Sequence, residues 1–399
     1  MEPPLANSIL TINMITNRAL AILHQKCNFI GTINRAYDDS FAQSGAKIGT
    51  ALRIRLPNQY VIRNGAVLNT QDTVENSVTL NVTNQFGVDV NFTTQELTMS
   101  MDDFAYRVLE PAIAVLAANI EAFALNMVLD VYNQVNGMGA ANTFKNVLLA
   151  RKALVDNLTP ADAQRYIRMD TQTNVDVVDA LKGLFQQSTD IASQNHDGVL
   201  GRTGGFEFAE NTFLTPFTRG AENGAYVLNG IPATGATTAV VATGAGAGNK
   251  GDVFTIAGVN RVHPETKVNT GVLQQFVLTA NYAGGAGTIA FSPALNYAAN
   301  GLQNVNAAPA TNAALTFAGT ASTAYQQSIA YHKNAFTFAT ADLIMPGGVD
   351  MAARRVMDGI SMRIVRQYDI NNDRLPCRID VLCGAQTIRP QLAARIASN

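Results

Sequence analysis

The apolar residues Phe104, Val108, Ala112, Val115, Ile120, Phe123, Met127, Val131 and Val135 follow one another at helical spacing. They predict one helix of roughly 35 residues, about 50 Å long at 1.5 Å per residue. That exceeds an ordinary globular helix, so other extended elements, or other chains, are needed to cover it. Ser100 and Asp103 fit an S-x-x-D capping pattern, Asp102 and Asp103 suit the positive end of the helix dipole, and Gly137 and Gly139 end the run. Pro111 either kinks this helix or marks its true first turn. Its richest stretch, PAIAVLAANIEAFALNMVLDVY, carries Asn119, Glu121, Asn126 and Asp130, too many polar groups for an unaided membrane span, and no transmembrane helix is expected.

The chain before this helix reads as two extended parts. Leu5, Ile9, Ile12, Ile15, Ala19 and Ile22 recur at three and four residues and suggest an amphipathic helix that packs on a partner, while the same stretch lacks the basic start and cleavage site of a secretory signal. From about Lys47 to Leu97, ALRIRLP, QYVIRNG, SVTLNV and GVDVNFT alternate as half-buried strands do, with a turn at Asn64 and Gly65. They predict a long hairpin whose tip, about 58–76, holds Arg63, Asp72 and Glu75 and few large apolar residues, and faces solvent until a neighbour covers it. Those three residues are the candidate inter-subunit contacts.

After the long helix, NTFKNVLLARKALVDN and NVDVVDALKGLFQQ read as helices, with AQRYIRMD as a strand between them. From Gly220 to Tyr325 the composition changes: only six residues are charged, and short β-like runs are broken by GG, NG and AG turns. This predicts a small all-β domain inserted into its host. The expected divisions are 1–46, an N-terminal arm; 47–98, the hairpin loop and adjoining strands; 99–136, the long helix; 137–222, an apical (axial) domain; 223–325, the insertion; and 326–399, a return to the host.

Little in the chain points to catalysis. GAGNKG, Gly246 to Gly251, spells G-x-G-x-x-G, but DVFTIAGVN after it reads as a strand, whereas dinucleotide binding needs a helix N-terminus there. A glycine-rich turn is the better reading. His24, His196, His263 and His332 are scattered without a zinc motif. In DINNDRLPCRID, Asp369, Asn371, Asp373 and Asp380 fall at calcium-loop spacing, but Arg374 stands where that loop needs Gly, so a turn between strands is expected. Cys377 and Cys383, about 20 Å apart along a strand, cannot pair, and with Cys27 they are expected to be buried reduced thiols, as in a cytosolic setting. A net charge of −2 argues against a chain whose main task is gripping a polyanion. Arg354, Arg355, Arg363, Arg366, Arg374 and Arg378 are expected to meet carboxylates of the same or an adjacent subunit in preference to phosphates.

GVLGRTGGFEFAENTFL, Gly198 to Leu214, followed much later by KNAFTFATADL and SMRIVRQYDINNDRLPCRIDVLCGAQTIRP, resembles the major capsid proteins of tailed bacteriophages. The order of parts is similar as well, down to a C-terminal strand pair ending in R-P before a short helix. KGDVFTIAGVN resembles the insertion domain of short-tailed phage coat proteins of the Salmonella phage type, which would make Gly246 to Gly251 a turn there. The resemblance implies an α+β chain of the Hong Kong 97 type capsid fold, with N-arm, extended β-hairpin (E-loop), long spine helix, apical domain and inserted small all-β domain. It implies a protein that catalyses nothing and needs no cofactor or metal. Such a protein assembles with itself as pentamers and hexamers into the icosahedral shell of a virion, around double-stranded DNA that it does not read by sequence. A scaffolding protein and a portal protein are the further implied partners, assembly is implied in the host cytoplasm, and no membrane takes part. An encapsulin-like shell is the alternative within that fold, and a dinucleotide-binding enzyme using Gly246 to Gly251 is the alternative from another class.

Overall fold

The computed structural model describes residues 27–36, 51–68, 70–72, 75–91, 110–181, 201–357 and 360–399. The expected N-terminal amphipathic helix and the S-x-x-D cap fall outside these residues. The chain divides into two compact units, each assembled from distant stretches: Met1–Arg53, Thr79–Ala124 and Thr337–Gln386 form one, and Ile54–Val78, Leu125–Phe336 and Thr387–Asn399 the other.

The first unit holds helix α1, Glu110–Leu125. Ile113, Leu116, Ala117, Ile120 and Ala124, spaced by three, one, three and four, form its buried stripe. Pro111 stands in the first described turn, where its missing N–H costs nothing. The stretch Pro111–Asp130 is apolar and long enough by composition to cross a bilayer, yet half of it is buried inside the protein. Glu121 lies within it at 0 % exposure and accepts the Phe29 amide at 2.6 Å and the Ile30 amide at 3.2 Å. A polar group in an apolar helix is thereby used to fix the inner end of the N-terminal region.

The helix does not run to residue 136 as its periodicity predicts. After Leu125 it tightens into a 3₁₀ turn, Asn126–Asp130, and Val131 is already extended. Val135 lies in a strand, Gln134–Gly137, paired in parallel with Ala393–Ser398. Sheet pairing with the far end of the chain overrides the local helical pattern there, although Met127, Val131 and Val135 are buried. Within α1 the expected stripe is not the buried face, since Val115 is 57 % exposed and Ala112 and Phe123 are only half-buried.

Five strands make the sheet of the first unit: Phe336–Ala341, Cys377–Thr387, Ile360–Arg366 and Met351–Met357 in that order, with Asn84–Val90 also antiparallel to the Cys377 strand. The Asp369 to Arg374 turn is closed by reciprocal backbone bonds of 2.8 and 3.3 Å, and the Asp369 carboxylate accepts the Asn371 amide and the Asn372 side chain, so its oxygens serve the turn itself.

Ala51–Arg55 pairs with Ser77–Asn81, but QYVIRNG is not a strand: the described residues between 56 and 76 are an irregular loop held at its base by the Leu56 amide on the Asn76 carbonyl. Two short strands with no third beside them among the described residues do not propagate the ladder.

The second unit contains a seven-stranded sheet in the order Gln134–Gly137, Ala393–Ser398, Ala324–His332, Arg165–Met169, Phe206–Glu210 and Arg202–Thr203, with Phe217–Thr218 added against Ala324–His332. Helix α2, Phe144–Asp156, forms where the sequence places it, and α3, Thr171–Leu181, starts three residues before its expected beginning, the last part of that expected helix, 182–187, lying outside the described residues. Together they bury Val147, Ala150, Leu154 and Val177 in one cluster with Ile167, Phe208 and Ile396. The expected helix after Arg389 and Pro390 is instead a single 3₁₀ turn, Pro390–Leu392, leading into the wholly buried strand Ala393–Ser398. Its Ala-rich residues fit between two neighbouring strands, where a helix could not.

The insertion is a second sheet: Leu315–Phe317, Val253–Val262, Asn269–Leu278, Gly287–Leu295, Ala236–Ala242 and Val227–Leu228. Its two end strands meet, since the Leu228 amide bonds the Ala313 carbonyl at 3.0 Å and the Leu315 amide the Tyr226 carbonyl at 2.8 Å. This closes the sheet into a barrel and removes its free edges. Phe254 lies in its core among the rings of Phe276, Phe291 and Phe317, with centroids 5.4–6.1 Å away.

Candidate functional site

The G-x-G-x-x-G stretch is a turn in which the last four amides are already committed. Gly248 donates to the Tyr282 carbonyl at 2.8 Å, Asn249 to Asp252 Oδ2 at 2.6 Å, Lys250 to Asn281 Oδ1 at 2.8 Å and Gly251 to the Leu278 carbonyl at 2.9 Å. Those four amides offer a pyrophosphate no free donor, the Asp252 carboxylate would repel it, and the strand Val253–Val262 follows in place of a helix. The glycines serve close approach: Gly246 has φ +89° and a Cβ there would overlap the Ala221 carbonyl, while one on Gly248 would stand 2.6 Å from Glu222 Oε1. Dinucleotide binding is therefore set aside.

What the turn encloses is a buried polar cluster at the neck of the insertion. Glu222 and Asp252 are each 1 % exposed. Arg219 donates from Nη1 to the Gly319 carbonyl at 2.7 Å and from Nη2 to the Glu222 carbonyl at 3.0 Å. Arg395, fully buried, donates from Nη2 to the Gly251 carbonyl at 2.6 Å and to Gln134 Oε1 at 3.1 Å, and lies over the Phe217 ring. Burial lowers the Arg395 guanidinium to about 10, and burial followed by the charge of Asp252 pushes the Glu222 carboxyl up to about 8. Sequence reading did not single out these residues. The available signal was that Glu222 and Asp252 are two of only six charges in a long low-charge stretch, where an isolated charge is either exposed or specially held.

The three candidate contacts, Arg63, Asp72 and Glu75, are all exposed on the 56–76 loop, and no hydrogen bond or ion pair among the described residues joins them to one another. Arg63 donates to the carbonyls of Gly65 and Val67 in its own loop, and Glu75 lies 3.6 Å from Arg55 at the base. Contrary to expectation, the loop also presents large apolar side chains: Tyr60, Ile62, Val67 and Leu68 are between 56 and 91 % exposed. The alternating pattern in QYVIRNG and the following residues, read as one face of a strand, is in fact a row of side chains in water.

In the first unit four of the six C-terminal arginines meet carboxylates as expected, Arg354, Arg363, Arg366 and Arg378, whereas no ion pair among the described residues involves Arg355 or Arg374. Arg363 lies 2.6 Å from Asp380, its register partner, and Arg378 lies 2.7 Å from Asp89, its own. Arg354 reaches Asp342 at 3.3 Å and Arg366 reaches Asp350 at 2.7 Å. The hydrogen bond from Arg378 holds the Asp89 carboxyl below its usual range. A cleft of about 460 Å³ beside this ladder is lined by Asp89, Arg363, Val365, Cys377 and Arg378, and both of its arginines are already paired. Cys27, Cys377 and Cys383 are free and buried, and burial raises all three thiols, to about 11 for Cys377 and about 12 for Cys383. Among the described residues no group of three or more His, Cys, Asp or Glu is placed to hold a metal ion.

A family model described as P22 coat protein, gene protein 5, matches residues 32–395. No curated protein matches the chain. Among solved structures, a chain of Mycobacterium phage Che8 is similar with a TM-score of 0.47 and 11% identity, covering 92% of this chain and 89% of that one. A chain from the capsid of Cyanophage P-SCSP1u gives a TM-score of 0.46 and 10% identity over 90% of this chain and 85% of that one. The CUS-3 coat protein I-domain matches 24% of this chain and 96% of its own length at 28% identity, with a TM-score of 0.19.

Proposed function

The chain belongs to the P22 coat protein family, and on that premise we propose how this major capsid protein builds its shell. It is a structural protein of the virion, and it forms the icosahedral shell of a tailed phage. The observation that carries this is the family match, which runs through both units and the insertion. Membership of a phage coat family also sets aside the encapsulin-like reading.

The protein takes the Hong Kong 97 type arrangement, with the divisions expected from its sequence, and assembles with itself as pentamers and hexamers in the host cytoplasm. A scaffolding protein guides assembly, a portal protein occupies one vertex, and the shell encloses double-stranded DNA without reading its sequence. Two features support this reading. The 56–76 loop extends large apolar side chains into water, an arrangement that is stable only when another surface covers them. The basic C-terminal ladder is neutralised internally at Arg354, Arg363, Arg366 and Arg378, which suits a wall that does not adhere to DNA.

The loop is the contact to test. Ile62→Asp combined with Leu68→Asp is expected to lower the assembled fraction about tenfold or more at fixed protein concentration, since removing a buried apolar side chain from an interface costs about 1 kcal/mol or more. Urea unfolding of the unassembled chain should move by less than about 0.5 kcal/mol, because both side chains already face water. Arg63→Ala, Asp72→Ala and Glu75→Ala together should give a smaller loss that fades at high salt. Sedimentation of chain co-expressed with its scaffolding partner reads both variants, and full assembly by both would remove the loop from the interface.

A further inference from the structure

The chain enters and leaves the insertion through the polar cluster at its neck. On the entering side the Arg219 amide bonds the Thr323 carbonyl at 3.0 Å, and on the leaving side the Ser322 amide bonds the Gly220 carbonyl at 3.0 Å. Asp252 sits between them and is well supplied with donors. The Gly220 amide reaches its two oxygens at 3.2 and 3.1 Å, and the Asn249 amide reaches Oδ2 at 2.6 Å.

Glu222 is supplied with none. Among the described residues neither of its carboxyl oxygens has a donor in good hydrogen-bond geometry, although both are buried. The nearest cation, Arg219 Nη2, is 4.0 Å from Oε2 and already donates to the Glu222 carbonyl. An ionised Glu222 would thus be a buried charge without a donor, set beside a second carboxylate. A neutral Glu222 has one O–H to give, and an acceptor stands opposite it: a Cβ built on Gly220 would lie 2.7 Å from both Glu222 Oε2 and Asp252 Oδ2, so the two oxygens face the same small space.

We propose that Glu222 and Asp252 hold a single proton between them, forming an acid-pair clamp at the neck of the insertion that is closed while the proton is bound and weakens when it is lost. Asp252 is the anionic member, fixed by the two backbone amides. Glu222 is the protonated member. The glycine-rich turn is shaped around it, since a side chain at Gly248 would displace its Oε1.

The other charged and titratable groups around the pair are held in place by partners of their own. Arg219 comes from the entering segment and lies over the Phe317 ring, with Tyr325 beside it on the leaving strand. Arg395, from the C-terminal strand, acts on Asp252 and Asp130. Lys250 in the turn is paired to Asp130 at 3.0 Å. The Tyr226 hydroxyl donates to the Gly246 carbonyl, and Tyr282 lies next to it.

The sign of the pH dependence follows from the raised carboxyl. Glu222 takes up its proton at about 8 in the folded chain against an ordinary value of 4.5, so the folded chain carries the extra proton between those limits. Stability from this group is complete below pH 4.5, declines as pH rises, and is gone above about pH 8.

The test is amide hydrogen exchange on the full chain from pH 5.5 to 9, corrected for the intrinsic exchange rate and read at Gly220 and Asn249. Wild type should lose protection by up to about tenfold per pH unit until pH 8. Glu222→Gln, which keeps a donor towards Asp252 and cannot ionise, should show no such slope and should be the better protected of the two at pH 8.5. Wild type at pH 6 should also show the infrared carbonyl band of a protonated buried carboxyl, fading as pH is raised through 8. Equal slopes in wild type and variant would overturn the clamp. If the variant does not fold, the wild-type spectrum decides alone, and absence of that band at pH 6 would overturn it equally.

Discussion

Phe254→Ala lowers the stability of the unassembled chain by about 3–5 kcal/mol, the cost of removing a fully enclosed aromatic ring and leaving a cavity. Phe254 is 1 % exposed and stands at the centre of the barrel, stacked on Phe276 at 5.7 Å, tilted against Phe317 at 5.4 Å and edge-on to Phe291 at 6.1 Å. The rest of the insertion is rich in small residues, so the barrel depends chiefly on this cluster. A domain of this size keeps only a small margin of stability, and a loss of that order unfolds most of it. Urea unfolding followed by near-ultraviolet absorption of the tyrosines, together with the soluble yield at growth temperature, reads the effect. Phe254→Leu should cost clearly less, because it refills part of the volume. A shift below about 1 kcal/mol in the alanine variant would mean that the barrel is not a close-packed core.

Glu121→Ala should weaken the first unit to a comparable degree. It takes the acceptor away from the amides of Phe29 and Ile30, both in residues with no exposure, and each buried donor left unmatched costs about 1–3 kcal/mol. The expected total is about 2–6 kcal/mol, with Glu121→Gln intermediate because its carbonyl can still accept one of the two. Limited proteolysis near residues 27–36, compared with unfolding of the whole chain, checks this. Retained protection of that segment in the alanine variant would show that Glu121 does not hold it.

Legibility in the sequence depended on whether local pattern and tertiary partner agreed. Helices α2 and α3 and the strand between them were readable because Val147, Ala150 and Leu154 are buried on the helical face that their spacing defines. The insertion was readable as β structure because its glycine turns lie between alternating runs. The long helix was overextended because apolar spacing by itself fixes neither backbone shape nor the buried face: Val115, on the expected stripe, is exposed. Val131 and Val135 are buried as predicted, yet one is extended and the other lies in a strand chosen by Ala393–Ser398, some 260 residues away in the chain. QYVIRNG failed for the opposite reason: its alternation is genuine, but no neighbouring strand among the described residues is available to use it. The neck cluster was invisible because Glu222 and Asp252 meet only after the barrel closes, and the meaning of Glu121 depended on amides about 90 residues upstream.

The central claim is that this chain is completed by copies of itself, and electron microscopy tests it most directly. The purified full-length protein, produced with its scaffolding partner and imaged in negative stain, should yield closed, uniform icosahedral shells. Formation of those shells should protect the 56–76 loop from protease. A single monomeric species that persists under the same conditions at high concentration, with the loop no more accessible than the barrel core, would contradict it.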